Sequence, residues 1–381
     1  MTVLGLKCGY CGKEYSVGRW FEGCVSCKSP GFASGLQVVY DWQKAKQTFT
    51  RERLEANQKR GLERFLDLLP VDPTLPFNAL GVGNTPLIEC RRLALALGLG
   101  ELYIKDESRN VTGTFKDRYA CIGANVALQF DSSCLIAAGG NMGTAAAAFA
   151  ARYGLAAISI EVPTESTIAM LQTLAYGGKV ILVEDYKIRY SLMKRCVDEY
   201  GCHPLSSYTS SPTGDPYSRE GAKTIAYEIC QDLSWEVPDV VVAPVGQGFL
   251  LWGLWRGFLE LHKLGLVERL PMMIAAESAA GGSYTKTLKA VTDAVAKVLP
   301  TRTVARHAVA SQGSYQGLQA IRDSGGTAIT VSDDESVEAL KTLASMEGLL
   351  PSTTSSVALA ALVKLCDEGK ISKKQRIVCV L

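Results

Sequence analysis

The sequence predicts an α/β protein in which parallel sheets are covered by helices. Three observations carry this. Short apolar runs alternate with helix-length stretches from Thr85 to the end of the chain. Two of those runs end in glycine-rich turns that open a helix, at Gly139–Gly143 and Gly246–Gly248. The composition is that of an ordinary globular protein, with 47% apolar and 20% charged residues.

Each element follows from its pattern. Leu36–Tyr40 reads as a short strand. Arg51–Leu69 carries helical spacing through Leu54, Leu62, Phe65, Leu66 and Leu69. Pro70, Pro73 and Pro76 then impose an extended linker. Leu102–Ile104 is a strand, and Arg118–Leu128 is an amphipathic, alanine-rich helix. Leu135–Ala137 is a strand that leads through its glycine turn into a helix over Thr144–Tyr153. Ala157–Val162, the helix Ile168–Tyr176 and the strand Lys179–Val183 continue the rhythm. Val240–Val245 is a strand followed by an apolar helix to Leu264. Met272–Glu277, Thr327–Val331 and Ile377–Leu381 are further strands, and Glu335–Glu347 and Ser356–Glu368 are helices. No internal repeat or low-complexity tract interrupts this order.

A length of 381 residues favours two domains with appendages. The expected division is a cysteine-rich, zinc-ribbon-like segment over residues 1–40 and a helical linker over 41–84. Residues 85–381 then form two α/β subdomains, the smaller (about residues 120–215) inserted in the larger. A net charge of +2 gives no reason to expect nucleic acid as a partner. The first ten residues lack the cationic start and apolar core of a signal peptide. No apolar run reaches the roughly 20 residues of a membrane span. Scattered cysteines among apolar neighbours, such as Cys121, Cys134, Cys230 and Cys379, suit buried reduced thiols and a cytoplasmic setting.

Cys8, Cys11, Cys24 and Cys27 are different. They form a C-x2-C-x12-C-x2-C pattern. Two tight turns, the first eased by Gly9 and Gly12, could aim four thiolates at one point. That makes a closed, structural zinc cage. A pair of redox C-x2-C motifs is the other reading.

Lys116 stands in Val-Thr-Gly-Thr-Phe-Lys-Asp-Arg, at a loop-to-helix junction. A partly buried lysine loses proton affinity and becomes a nucleophile for aldehydes. In open α/β sheets, sites lie at the carboxyl ends of strands. Both glycine turns sit there, where small residues free backbone N–H groups to face an anion. The second is no dinucleotide fingerprint, because Phe249 and Leu250 follow and no glycine takes the third required position.

These residues resemble a known family. Thr112–Arg118, Gly140-Asn141, Pro244–Gly248, Gly83-Asn-Thr-Pro-Leu87 and Gly221-Ala-Lys-Thr224 are similar to threonine synthases, within the fold type II (tryptophan-synthase-β-like) pyridoxal phosphate enzymes. Gly61–Pro70 and the Leu36–Asp41 strand also resemble the threonine synthase N-terminal segment, which often carries a cysteine knuckle. The resemblance covers nearly the whole chain. It implies two three-layer αβα subdomains and a homodimer. It implies that Lys116 holds pyridoxal phosphate through an imine and then serves as the acid/base at the substrate α-carbon. It implies that Asn141 bonds the cofactor's 3-hydroxyl and that Gly246, Gln247 and Gly248, with Phe249 and Leu250, cradle its phosphate. Gly139, Gly140, Thr85 and Arg219 fall at substrate-side positions.

The sequence also departs from the family. Hydroxyl side chains normally flank the asparagine, whereas here Ala138, Gly139 and Met142 do. The arginine that follows Asn-Pro-Tyr in threonine synthases is replaced by Ser218, with Arg219 one place late. One residue on a helix turns a side chain by about 100°. Ser352-Thr353 stands where Glu-Pro is common. The family continues past its last strand into a turn that supplies the partner of the pyridine nitrogen; here either that turn lies beyond Leu381, or Thr354, Ser355 or another group serves, or the ring nitrogen lacks its partner.

The expected activity is therefore that of a pyridoxal-phosphate-dependent lyase. Its nearest named reaction is threonine synthase, O-phosphohomoserine plus water giving threonine and phosphate. A β-replacement or β-elimination enzyme, cysteate-synthase-like, cysteine-synthase-like or a serine/threonine deaminase, is the alternative. A cofactor-binding regulatory protein is a reading from another class. Among the remaining residues, Arg219, Glu220 and Lys223 read mainly as a solvated face. Glu277 reads as a residue that orders a loop or caps Gly281-Gly282, and Tyr217 as packing. Trp252 and Trp255 read as core or dimer contacts, and the three histidines show no ligand spacing.

Overall fold

The computed structural model describes residues 3–163 and 167–381. The chain divides into two compact units, Met1–Asn84 with Asn110–Thr224, and Thr85–Arg109 with Ile225–Leu381.

The second unit is built on a six-stranded sheet. In spatial order its strands are Thr327–Val331, Met272–Ser278, Val240–Pro244, Arg376–Val380, Glu101–Lys105 and Leu87–Glu89. The first five are parallel, and the Leu87–Glu89 edge strand runs antiparallel. Val240, Val241, Val242 and Ala243 are all buried at the centre, as both faces of a parallel sheet require. Helix Thr353–Asp367 buries Ser356–Leu362 and packs over the central strands. Side chains cap the helices where the pattern changes. Ser332 and Glu335 form a reciprocal capping box at the start of helix Asp333–Glu347, and Gly348 ends that helix in the left-handed conformation.

The first unit holds two sheets. Strands Lys179–Leu182, Ala156–Glu161, Cys134–Ala137 and His203–Pro204 form a parallel sheet in that order. Glu14–Tyr15, Val3–Cys8 and Leu36–Tyr40 form a small antiparallel sheet at the cysteine segment. Tyr217 ties that segment down: its hydroxyl accepts from Gly18 N at 3.0 Å and donates to Gly18 O at 2.9 Å. Helix Gly140–Tyr153 packs against helix Lys116–Gln129 and strand Ala156–Glu161. Its run of buried alanines, Ala145–Ala148 and Ala150, permits that close approach, and Phe149 supplies the bulk. Burying one such ring contributes about 1.5–3 kcal/mol.

The element pattern differs from the sequence expectation at several places: helices Tyr186–Tyr200, Lys223–Asp232, Ser283–Ala290 and Tyr315–Asp323 and strand Val3–Cys8 are not in that expectation, and three expected stretches are altered. The Arg51–Leu69 stretch is split into an α-helix, Arg51–Ala56, and a 3-10 helix, Gly61–Leu68. Gly61 takes a φ of +56°, and a Cβ there would lie 1.9 Å from the carbonyl oxygen of Val82. The helix expected from Thr144 starts at Gly140, so the glycine turn is shorter than its sequence suggests. Helix Lys116–Gln129 is not amphipathic: every residue from Asp117 to Ala127 is buried.

Candidate active site

Lys116 is the first residue of its helix and is half-buried. Desolvation, and secondarily the positive charge of Arg219, lower its pKa from 10.5 to about 7. Its Nζ lies 3.9 Å from the ring centroid of Phe115 and 5.4 Å from that of Tyr119. The loop before it is pinned by Asp117, whose carboxylate accepts from Thr112 N and Thr112 Oγ1, both at 2.6 Å. An acid in the first turn also suits the positive end of the helix. Next along, buried Arg118 donates to Thr224 Oγ1 at 2.8 Å. Gly221 must be glycine, because a Cβ there would stand 2.2 Å from the carbonyl oxygen of Arg118.

Arg219, Glu220 and Lys223 are not a solvated face; all three are buried. Lys223 Nζ meets Glu220 Oε2 at 2.6 Å and stacks 4.0 Å over the ring of Tyr40, whose hydroxyl donates to the same carboxylate oxygen at 2.9 Å. Sequence spacing alone cannot show that Tyr40, 180 residues away, completes the cluster. His203 is likewise buried, with Nε2 3.1 Å from Asp215 Oδ2. Asp215 also accepts from Tyr217 N and Ser218 N, and so caps the turn that carries Arg219.

The first glycine turn ends strand Cys134–Ala137 in the same unit. Gly139 has φ +77° and precedes the helix without a side-chain cap. The turn's backbone is held from several sides. Ala138 N donates to Ser206 Oγ at 3.1 Å, and Ala138 O accepts from Arg189 Nη1 at 3.0 Å. Gly140 N donates to Glu161 Oε2 at 3.1 Å, while Glu161 Oε1 accepts from Ser159 Oγ at 2.7 Å. Gly139 and Gly143 leave room for these groups: a Cβ at Gly139 would lie 2.2 Å from Glu161 Oε2, and one at Gly143 would lie 2.1 Å from Ser159 Oγ. Asn141 is exposed at the start of the helix.

The second glycine turn, in the other unit, leads into helix Phe249–Lys263. Gly248 is its N-cap with φ +83° and no side-chain cap, so the helix end presents backbone N–H groups. Leu250, Trp252 and Trp255 are buried in that helix. The turn rests on Tyr284, whose hydroxyl donates to Gln247 O at 2.8 Å and lies 3.1 Å from Ser314 O. A Cβ on Gly248, Gly313 or Gly317 would come within 2.4 Å of the Tyr284 ring or hydroxyl. A Cβ at Gly246 would lie 2.8 Å from His307 O. Glu277 caps helix Ser283–Ala290, accepting from Tyr284 N at 3.0 Å and from Thr285 N and Oγ1 at 2.8 Å. Thr85 is buried with its hydroxyl donated to Glu107 Oε1 at 2.6 Å.

The four N-terminal cysteines converge. Their sulfurs all lie within 4.8 Å of one another. Cys8 and Cys27 are 3.8 Å apart and Cys11 and Cys24 are 3.7 Å apart, contacts that run between the two C-x2-C pairs. A tetrahedron with metal–sulfur bonds of about 2.3 Å has edges of about 3.8 Å. Tyr10 N and Cys11 N point at Cys8 Sγ, at 3.4 and 3.5 Å, which orients that sulfur.

Glu161, Tyr284 and Tyr119 were not singled out from sequence. Glu161 left a signal, a charge inside the apolar run Ala157–Val162. Tyr284 left none, because the glycines it fills belong to distant segments.

Residues 79–381 match the model of the pyridoxal-phosphate dependent enzyme family. The chain is 34% identical to a threonine synthase of Methanocaldococcus jannaschii, over 98% of this chain and 90% of that protein. It is 31% identical to a threonine synthase of Methanosarcina acetivorans over the same shares. Among solved structures it superposes on maize serine racemase with a TM-score of 0.65 at 21% identity, covering 78% of this chain and 87% of that one. A threonine deaminase from Solanum lycopersicum gives 0.65 at 22% identity, covering 78% of each. At that identity the two structures speak for the fold, which is the type II arrangement expected. The chain belongs to the pyridoxal-phosphate dependent enzyme family, with threonine synthases among its relatives over most of its length.

Proposed function

We propose that this protein is a lyase that removes a leaving group from the side chain of a small amino acid, threonine synthase being the nearest activity. The observation that carries this is Lys116: a lysine at the mouth of a buried helix with its pKa brought down to about 7. With the pKa near neutrality both forms of the amine are populated, so it can both attack an aldehyde and carry a proton.

The residues present fit pyridoxal phosphate. Lys116 supplies the amine for the aldehyde. Gly246, Gln247, Gly248, Phe249 and Leu250 supply backbone donors at an uncapped helix N-terminus for a phosphate. Asn141 supplies an amide for the 3-hydroxyl. When bound, the cofactor contributes an electron sink. The protein's own groups do the rest. Nζ of Lys116 takes the proton from the substrate α-carbon and returns one later. Gly139 and Gly140 border the substrate carboxylate, and the charge of Arg219 adds to the desolvation that lowers the Lys116 proton affinity.

A β-elimination or replacement reaction is the second reading. Ser218 in place of the family's arginine, and the absence of hydroxyl side chains at Ala138 and Gly139, favour it. Cys8, Cys11, Cys24 and Cys27 would hold a structural zinc, the protein acting as a cytoplasmic homodimer. The test is incubation of the cofactor-loaded protein with O-phosphohomoserine, O-phosphoserine, serine and threonine. Threonine and phosphate from the first substrate alone support threonine synthase. Keto acid or phosphate from the others supports the second reading, and turnover of none would overturn both.

A further inference from the structure

Tyr119 lies three residues after Lys116 and therefore on the same helix face. Its ring sits 5.4 Å from Lys116 Nζ and is held edge-on by Phe115, centroid to centroid 5.5 Å. The side chain is only 2% exposed, yet its hydroxyl has no hydrogen-bond partner among the described residues. A buried unpaired hydroxyl costs about 1–3 kcal/mol. Phenylalanine would fill the same space without that cost, so packing does not account for the oxygen. Burial moves the phenol's pKa up, well beyond its ordinary value, so the group stays protonated and can act as a donor.

Arg219 belongs to the same neighbourhood. It sits on the 3-10 turn Ser218–Ala222, which is packed on helix Lys116–Gln129 through Gly221 against the Arg118 backbone. Gly214, at φ +65°, lets its guanidinium lie against the chain; a Cβ there would be 1.9 Å from Arg219 Nη2. Its charge acts on both Lys116 and Tyr119.

We propose that the Tyr119 hydroxyl donates a hydrogen bond to an oxyanion of the ligand held at Lys116, with Arg219 balancing that charge. This rests on the reading of Lys116 as the cofactor lysine. An O–H donor beside the Arg219 guanidinium selects carboxylate, phosphate or sulfonate oxygen over neutral groups. The oxyanion can belong to the substrate or to the cofactor, and the experiment separates the two.

The variant is Tyr119→Phe, which deletes one oxygen. Wild type is first titrated with pyridoxal phosphate; if it binds none, the proposed function falls and this inference falls with it. Given binding, the variant is expected to melt at the same temperature or higher and to lose about tenfold in affinity for one ligand. Weaker binding of pyridoxal phosphate assigns the oxyanion to the cofactor. Unchanged cofactor affinity with weaker binding of O-phosphohomoserine and O-phosphoserine, but not of serine, assigns it to a substrate side-chain phosphate. Equal weakening of all three amino acids assigns it to the substrate carboxylate. Wild-type affinity for every probe overturns the proposal. So does a lower melting temperature or failure to fold, which would make the hydroxyl structural.

Discussion

The Oε2 atom of Glu161 accepts the backbone N–H of Gly140 at 3.1 Å, placing a buried carboxylate at the start of helix Gly140–Tyr153. The carboxylate takes a donor that the helix would otherwise leave unpaired, where the helix dipole favours negative charge. Gly139→Ala would drive a methyl to 2.2 Å from that oxygen and strain a φ of +77°. The expected loss is about 1–3 kcal/mol of stability. Thermal or urea unfolding measures it, and an unchanged midpoint would refute this account of the turn.

Lys116→Ala should abolish the imine absorption formed with pyridoxal phosphate and with it all turnover. No other lysine stands in the same motif context. Borohydride reduction followed by peptide mapping should place the pyridoxyl group on Lys116 in wild type. A retained imine band in the variant would sink the assignment.

The depressed Lys116 pKa also makes a pH prediction. Imine formation requires the neutral amine, so cofactor binding should strengthen as pH rises through about 7. Stability has a definite sign too. Between about 7 and the ordinary value of 10.5, the unfolded chain binds more protons than the folded one, so folding becomes more favourable as pH rises. Below about 7 the full penalty of burying the charge remains. In cofactor-free protein, Lys116→Met should therefore be more stable than wild type near pH 6, with the gap narrowing by pH 10. A gap independent of pH would show that this lysine is not desolvated.

Changing any one of Cys8, Cys11, Cys24 or Cys27 to Ser should release one equivalent of zinc and lower the unfolding temperature, since a structural metal contributes folding free energy. Atomic emission on the purified protein reads the metal directly. Fully folded wild type without metal would count against the cage.

Tyr284→Phe removes the donor to Gln247 O and leaves that half-buried carbonyl with poorer pairing. The expected cost is about 0.5–1.5 kcal/mol. Cofactor affinity should fall as well if the turn loosens. A variant with unchanged stability and unchanged affinity would show that the tyrosine only fills space.

Much of the sheet framework was legible in the sequence, because strand spacing and apolar runs are local. The strand at Val240 and the helix that follows it lie within a residue or so of their expected bounds. The Arg51–Leu69 stretch was not legible as two helices. Its break depends on Gly61 packing against Val82, a contact that periodicity does not encode. Arg219, Glu220 and Lys223 carry the charge pattern of a surface, and only their burial in the fold, with Lys223 stacked over Tyr40, shows otherwise.

By itself the sequence determined the α/β class, the family, the lysine at the helix start and the two glycine turns. These depend on residue type and short spacing, and short spacing survives in one dimension. Only the tertiary structure decided what surrounds those turns. Glu161, held by Ser159, comes to Gly140 from the neighbouring strand, and Tyr284 reaches Gln247 from 37 residues away. The Arg219 charge that adds to the lowering of the Lys116 pKa likewise comes from a segment remote in sequence. Burial and hydrogen bonding depend on separation in space, which the order of residues along the chain does not state.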